Sequence, residues 1–208
     1  MLWIRWLAVF TLVVHCPISY GSESSGPTDA VAQFNLGTMY ANGEGVQKNA
    51  AEAIKWYRRA AEQGVAEASF NLGVIYGTGD GVPENDAEAF KWYRRAAEGG
   101  LAVAQLKLGL IYALGDEGVP ENDAEAFKWY RRAAEQGDAR AQYFLGVAYY
   151  LGQGVPENSA EGYFWLSVAA ATLPEHRDQR DTVRSELTPH QIADVQARTA
   201  KWKPKGEK

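Results

Sequence analysis

KWYRRAAE occupies residues 55–62, and the same eight residues return at 91–98 and at 128–135. Two readings compete for an octamer that sets two aromatics beside two arginines. Arginine on a phosphate with a ring stacked on a base would make it a nucleic-acid contact. A copied turn of amphipathic helix would make it a structural unit. The charge balance argues against the first: 26 acidic residues outnumber 21 basic ones, and the formal net charge is −5. Nucleic-acid binders depend instead on a basic surface. Hydrophobic content of 46% and charged content of 23% are those of a globular chain, not a disordered one.

Outward from the octamer, the chain repeats at a longer period. A Leu-Gly pair recurs at Leu36-Gly37, Leu72-Gly73, Leu108-Gly109 and Leu145-Gly146, in steps of 36, 36 and 37 residues. The odd residue falls in a loop, where Gly115-Asp116-Glu117-Gly118 replaces Gly79-Asp80-Gly81, so the flanking helices keep their phase. This period predicts a solenoid of stacked helix pairs, none of which can bury its apolar face alone. The first helix of each pair, helix A, carries Ala, Leu and Tyr four residues apart. The sets are Ala32, Leu36, Tyr40; Ala68, Leu72, Tyr76; Ala104, Leu108, Tyr112; and Ala141, Leu145, Tyr149. That spacing is one helical face. The glycine after each leucine costs about 1 kcal/mol against alanine in a helix interior. Its presence in all four copies predicts another helix packed too close for a side chain.

Helix B contains the octamer. Asn49, Asn85, Asn122 and Asn158 each precede a glutamate by three residues, at Glu52, Glu88, Glu125 and Glu161. That is a capping-box arrangement at a helix start. Gly64, Gly100 and Gly137 are placed as left-handed residues closing the first three B helices. Ala53, Trp56, Tyr57, Ala60 and Ala61 share one stripe, while Lys55, Arg58, Arg59 and Glu62 point mainly away. Trp56, Trp92, Trp129 and Trp165 hold one repeat position and read as stacked core. The fourth copy keeps Trp165 but loses both arginines, as a final unit covered by something else would. The covering segment follows. Thr188-Pro189-His190-Gln191 reads as a capping box with proline at the first helical position, and Ile192, Val195, Thr199 and Trp202 form a stripe behind it. With a preceding helix over 175–186, it would shield the open end of the stack. Lys201, Lys203, Lys205 and Lys208 read as a solvated tail.

The N-terminus reads as a targeting segment, with Arg5 ahead of the apolar run 7–14 (LAVFTLVV) and small residues Ser19 and Gly21 before a cut at Ser22. The run is too short to cross a bilayer, which takes about 20 apolar residues. Cleavage would remove Cys16, the only cysteine, and with it disulfides, thiol catalysis and Cys-ligated metals. Nor does the rest suggest catalysis. The glycine-rich turn 77–81 has no strand before it and no Lys-Ser/Thr after it, so it is a turn and not a phosphate cradle. His176 and His190 are scattered and read as surface residues, and each repeated glutamate has a cap role. The expectation is a chain without enzymatic activity, cofactor or metal.

The pattern Ala-x-x-x-Leu-Gly-x-x-Tyr, then Gly-x-Gly-Val, then Ala-x-x-Trp-x-x-x-Ala-Ala, complete from Ala68 to Ala97, resembles the Sel-one-like repeat, a relative of the tetratricopeptide repeat. The resemblance spans about 29–172. It implies an all-α fold, an α/α superhelix of four helix-pair repeats with a C-terminal capping helix pair. The organisation read from the sequence is a signal peptide at 1–21 and a linker at 22–28. Repeats follow at 29–64, 65–100, 101–137 and 138–172, then capping helices at 173–203 and a basic tail at 204–208. It also implies a protein-interaction scaffold, exported to a bacterial periplasm or secreted, binding another protein or a peptide and no nucleic acid. No stable membrane insertion is expected after cleavage. An envelope enzyme or small-ligand binder acting on cell-wall material is the alternative. Matching helix A to the tetratricopeptide pattern places three residues per unit on the concave face. They are Val31, Phe34, Thr38; Glu67, Phe70, Val74; Val103, Leu106, Leu110; and Arg140, Tyr143, Val147. The candidate partner-binding residues are the ladder Phe34, Phe70, Leu106 and Tyr143 with the flanking Asn71 and Lys107. Partial burial between neighbouring A helices is the other reading of that ladder.

Overall fold

Every B helix starts at its asparagine. Oδ1 of Asn49, Asn85, Asn122 and Asn158 accepts the backbone N–H three residues on, at 3.2, 3.0, 3.0 and 3.1 Å, satisfying one of the donors a helix start leaves open. The second half of the expected capping box is not made. The asparagine N–H groups donate instead to the carbonyls of Tyr40, Tyr76, Tyr112 and Tyr149 at the ends of the A helices, 2.7–2.9 Å away. That bond fixes the turn inside each pair and leaves the glutamates free for other partners. Glu52, Glu88 and Glu125 pair with Lys55, Lys91 and Lys128 one turn on, and Glu161 pairs with Arg198 at 2.8 Å.

The structure, a computed structural model, describes residues 28–116 and 118–205. The expected signal segment with Cys16 and His15, Glu117 and the last residues of the tail lie outside the described residues. Eight helices form the repeats: α1 (Ala30–Asn42), α2 (Ala50–Glu62), α3 (Ala66–Thr78), α4 (Asp86–Glu98), α5 (Ala102–Leu114), α6 (Asp123–Glu135), α7 (Ala139–Leu151) and α8 (Ser159–Thr172). A short 3₁₀ turn at Pro174–His176 leads into α9 (Arg177–Ser185) and α10 (Pro189–Thr199). No strand occurs among the described residues, and none of their helices is long and apolar enough to cross a membrane. Each A helix packs most closely on the B helix of its own pair, and each B helix on the next A helix. The chain is therefore an all-α solenoid of four helix pairs. Gly64, Gly100 and Gly137 have φ of +93°, +93° and +99°, the left-handed conformation that turns the chain from one pair to the next.

The helix-A glycines explain the tyrosine of the octamer. A Cβ built on Gly37, Gly73 or Gly109 would lie 2.6 Å from Cδ1 of Tyr57, Tyr93 or Tyr130. Each ring presents its Cδ1–Cε1 edge closest to its glycine, so the two helices of a pair meet ring on backbone. In the fourth pair leucine replaces tyrosine and the helices close further. A Cβ on Gly146 would meet Leu166 Cγ at 2.8 Å and the Leu166 backbone nitrogen at 2.9 Å. Ala53, Ala60, Ala61 and Leu72, with their equivalents in later pairs, are almost fully buried around these crossings.

Trp56, Trp129 and Trp165 are buried, and Trp92 half-buried. The second arginine of the octamer does not simply face solvent. Arg59 and Arg132 lie 4.7 and 4.6 Å over the rings of Trp56 and Trp129, cations on the faces of indoles. Arg95 lies over Trp92 and donates to the Ala61 carbonyl at 2.9 Å. The first arginine is outward: Arg94 and Arg131 pair with Glu98 and Glu135, and Arg58 donates to the Tyr76 hydroxyl at 2.7 Å. A buried polar ladder was not foreseen. Gln33, Ser69, Gln105 and Gln142 share one repeat position. Gln105 and Gln142 donate to the open carbonyls of Ala97 and Ala134 near the end of the preceding B helix.

The end of the stack is covered as expected. Thr188 and Gln191 form a reciprocal capping box, Val183 and Val195 are fully buried, and α9 and α10 both pack on α8. Trp202 lies just beyond α10 and meets Trp165 edge to face at 6.1 Å. The tail then returns to the third pair. Lys205 N–H donates to the Glu135 carbonyl at 2.8 Å, and its ammonium pairs with the Glu135 carboxylate at 2.6 Å.

Candidate functional site

Along the A helices the ladder residues do not share one environment. Phe34 and Phe70 are half-buried, each tilted against the tyrosine that crosses its own pair, with ring centres 5.8 Å from Tyr57 and 5.5 Å from Tyr93. Leu106 is only 2% exposed. Tyr143 has no tyrosine opposite, since Leu166 stands there. It packs edge-on against Phe144 and stacks on His176 at 3.9 Å. His176 is therefore not a solvated surface residue: its ring is half-buried and closes the C-terminal end of the A-helix face. Asn71 and Lys107 are half-buried, and the Lys107 ammonium lies 5.4 Å over the Tyr93 ring.

Three of the six candidates meet. Phe70, Leu106 and Lys107 line a pocket of about 190 Å³ between α3, α5 and α7, together with Tyr93, Val103, Leu110 and Arg140. Phe34, Asn71 and Tyr143 are not part of it. Leu110 also walls an adjoining cleft of about 290 Å³ lined by residues of α5, α6 and α7. Its apolar lining comes from Ala113, Leu114, Phe127, Tyr130, Phe144, Val147 and Leu151, and Glu121 and Asp123 stand on its rim. Phe144 stacks on Tyr130 at 5.3 Å. Burial, with the nearby Asp123 charge, pushes the Tyr130 hydroxyl up to about 12, so it is neutral at any ordinary pH. Leu114 and Leu151 are 72% and 57% exposed.

The sequence reading missed Leu114 and Leu151, and the signal was available. They are the last residues of α5 and α7, where α1 and α3 end in Asn42 and Thr78. Likewise Phe144 stands where earlier units have Asn35, Asn71 and Lys107. At these positions the A-helix face thus changes along the stack, with leucine ending the last two A helices where Asn and Thr end the first two, although Val31 and Met39 of α1 are exposed apolar residues as well. No group of three or more His, Cys, Asp or Glu that could hold a metal ion occurs among the described residues. What the two pockets offer chemically is apolar surface, two cations and two carboxylates.

Comparison with known proteins agrees with the architecture. The family model of the Sel1 repeat matches residues 30–65, 66–101, 102–138 and 139–171. Among solved structures, a Sel1 repeat protein from Oxalobacter formigenes is 46% identical over 69% of this chain, with a TM-score of 0.62. The match spans 58% of that protein, so this chain covers less than two thirds of the relative's length. A protective antigen present in uropathogenic Escherichia coli strains and displaying an SLR fold is 28% identical over 87% of this chain and 50% of its own, with a TM-score of 0.47. Among curated proteins none matches.

Proposed function

The chain belongs to the Sel1 repeat family, whose members are generally protein-interaction scaffolds, and from that premise we propose that it is an exported, non-enzymatic adaptor holding a partner protein on its A-helix face. The observation that carries this reading is the adjoining pair of apolar pockets over α5 and α7. Positions that the first two pairs fill with Asn and Thr are filled there with exposed leucine and with phenylalanine. Exposed large apolar groups that the scaffold does not need are a mark of recognition surfaces. The B-helix face supports no such reading, since its outward arginines Arg94 and Arg131 are already paired with glutamates one turn on.

The apolar run 7–14 behind Arg5 supports export, with a periplasmic or secreted destination. N-terminal sequencing of protein from the envelope fraction should begin at Ser22; an intact Met1 there would mean an uncleaved anchor, and recovery of the protein from the cytosolic fraction alone would end the export reading. Photocrosslinking in the native cell tests the surface. A photoreactive residue at Leu114 or Arg140 should trap a discrete protein adduct, and one at Arg94 should not. Adducts from position 94 alone would move the binding face to the B helices.

A further inference from the structure

The two cations of the α3/α5/α7 pocket break the repeat. Where α5 has Lys107, the other A helices have Asn35, Asn71 and Phe144, and where α7 has Arg140, the others have Val31, Glu67 and Val103. One comes from the third unit and one from the fourth, so neither local duplication nor helix capping accounts for the pair, yet the solenoid brings both to one pocket. Arg140 is exposed and makes no ion pair among the described residues. The other arginines of the repeats are held: Arg94 and Arg131 by carboxylates, Arg58 by a hydroxyl, Arg95 by the Ala61 carbonyl, and Arg59 and Arg132 over tryptophans. In an acidic chain Arg140 is thus a cation outside any ion pair of the described residues, set beside the Lys107 ammonium and over an apolar floor of Phe70, Leu106 and Leu110. Beyond Leu110 lies the apolar cleft with its exposed Leu114 and Leu151.

We infer that the groove recognises a linear segment of the partner that pairs an acidic side chain with a bulky apolar one, the carboxylate over Lys107 and Arg140 and the apolar group in the α5/α7 cleft. The inference rests on the proposed adaptor role and adds the chemistry of the partner. Charge complementarity selects the acid. A carboxylate facing two cations above apolar walls is held and discriminated better than in water, and a basic segment in the same register meets like charge. Glu121 and Asp123, on the rim of the other cleft, repel a second acid there and so fix which end of the pair enters which pocket.

The test selects random linear peptides on the full chain and measures the best of them by fluorescence anisotropy. Selected peptides should pair Asp or Glu with Leu, Phe or Trp. Two double variants borrow residues from other units of the same chain. Lys107→Asn with Arg140→Glu copies Asn71 and Glu67, and Leu114→Asn with Leu151→Thr copies Asn42 and Thr78. Because the scaffold already carries these residues at equivalent positions, both variants should keep the wild-type helical signal and urea midpoint. Each should weaken the selected peptide about tenfold or more, and the first should lose the preference for acid when selection is repeated on it. Peptides enriched without an acid, or bound equally by the first variant, overturn the inference but leave the adaptor reading intact. No enrichment at all rejects a linear segment, and the crosslinking pattern then decides separately whether a folded partner occupies the same face.

Discussion

Gly73→Ala sets two well-known effects against each other in one residue. By helix propensity the change should stabilise α3 by about 1 kcal/mol. By packing it should not, because the new Cβ would stand 2.6 and 2.7 Å from Cδ1 and Cε1 of Tyr93. That ring is 5% exposed and held against Phe70, so it has little room to swing. Overpacking of this kind costs about 1–3 kcal/mol, so the net expected effect is a destabilisation of about 1 kcal/mol. Gly146→Ala should be worse, because the obstacle there includes the Leu166 backbone nitrogen at 2.9 Å and the Gly162 carbonyl at 3.1 Å, and no rotamer change moves a backbone. The assay is urea unfolding followed by circular dichroism, comparing midpoints at constant slope. The decisive arm repeats Gly73→Ala in a Tyr93→Ala background. With the ring gone only propensity remains, so the alanine should become stabilising, giving a coupling of roughly 2 kcal/mol. If Gly73→Ala is neutral or stabilising in the wild-type chain, the ring-on-glycine crossing does not limit the approach of the helices and the account of the recurring glycine is wrong.

Three other outcomes follow from the same structure. Trp129→Ala should lower stability by about 3–5 kcal/mol, since the ring is buried between pairs and Arg132 lies over it; a loss near 1 kcal/mol in the same urea assay would mean the tryptophans are not a stacked core. Asn85→Ala should cost about 1 kcal/mol as a lost helix cap, and Asn85→Asp should recover most of it, because Oδ1 of Asn85 accepts the Glu88 N–H at 3.0 Å. The returning tail should respond to acid. Burial pushes the Glu135 carboxyl up, but hydrogen bonds and charge from Lys205 and Arg131 outweigh it, and the net shift is below the ordinary 4.5. The stability it contributes is then present above that value and is lost as pH falls through the lowered folded value. Glu135→Gln should therefore fall short of wild type at neutral pH and converge with it in acid, and a gap that widens on acidification would refute the assignment.

The period, the caps and the core stripe were legible because they are local and repeated. Asn85 with Glu88 announces a helix start from four residues, and Ala68, Leu72 and Tyr76 announce a face from nine. What was illegible depends on which residue meets which across the stack. The glycine predicted a close approach, but only the folded chain shows that the tyrosine of the octamer is the approaching group. The asparagine and glutamate suggested a complete capping box, but the Asn85 N–H was already bound to the Tyr76 carbonyl, a partner nine residues earlier. His176 looked solvated because its sequence neighbours are polar, whereas its ring partner, Tyr143, belongs to another helix. The candidate ladder was legible as one face and not as one environment, since Leu106 is buried while Phe70, half-buried, packs on Tyr93, and Tyr143 stacks on His176 beyond the repeats.

Repetition also supplies an internal control that a single-copy fold lacks. A residue that the scaffold requires should appear in every unit, and one that only the end of the stack requires should appear where the stack ends. Leu166, Ser167 and Val168 in place of Tyr-Arg-Arg are of the second kind: Val168 is 5% exposed and Leu166 is fully buried, in a unit whose outer side α9 and α10 cover. Lys107, Arg140, Leu114 and Leu151 fit neither class. They depart from the other units, they are not drawn into the terminal core, and two of them hold large apolar side chains in solvent. Folding alone gives no reason for a leucine at the end of α5 where asparagine ends α1. Departure from the repeat without full burial is thus what distinguishes the proposed groove from the framework, and it favours the third and fourth pairs for the proposed recognition over an even spread along the array.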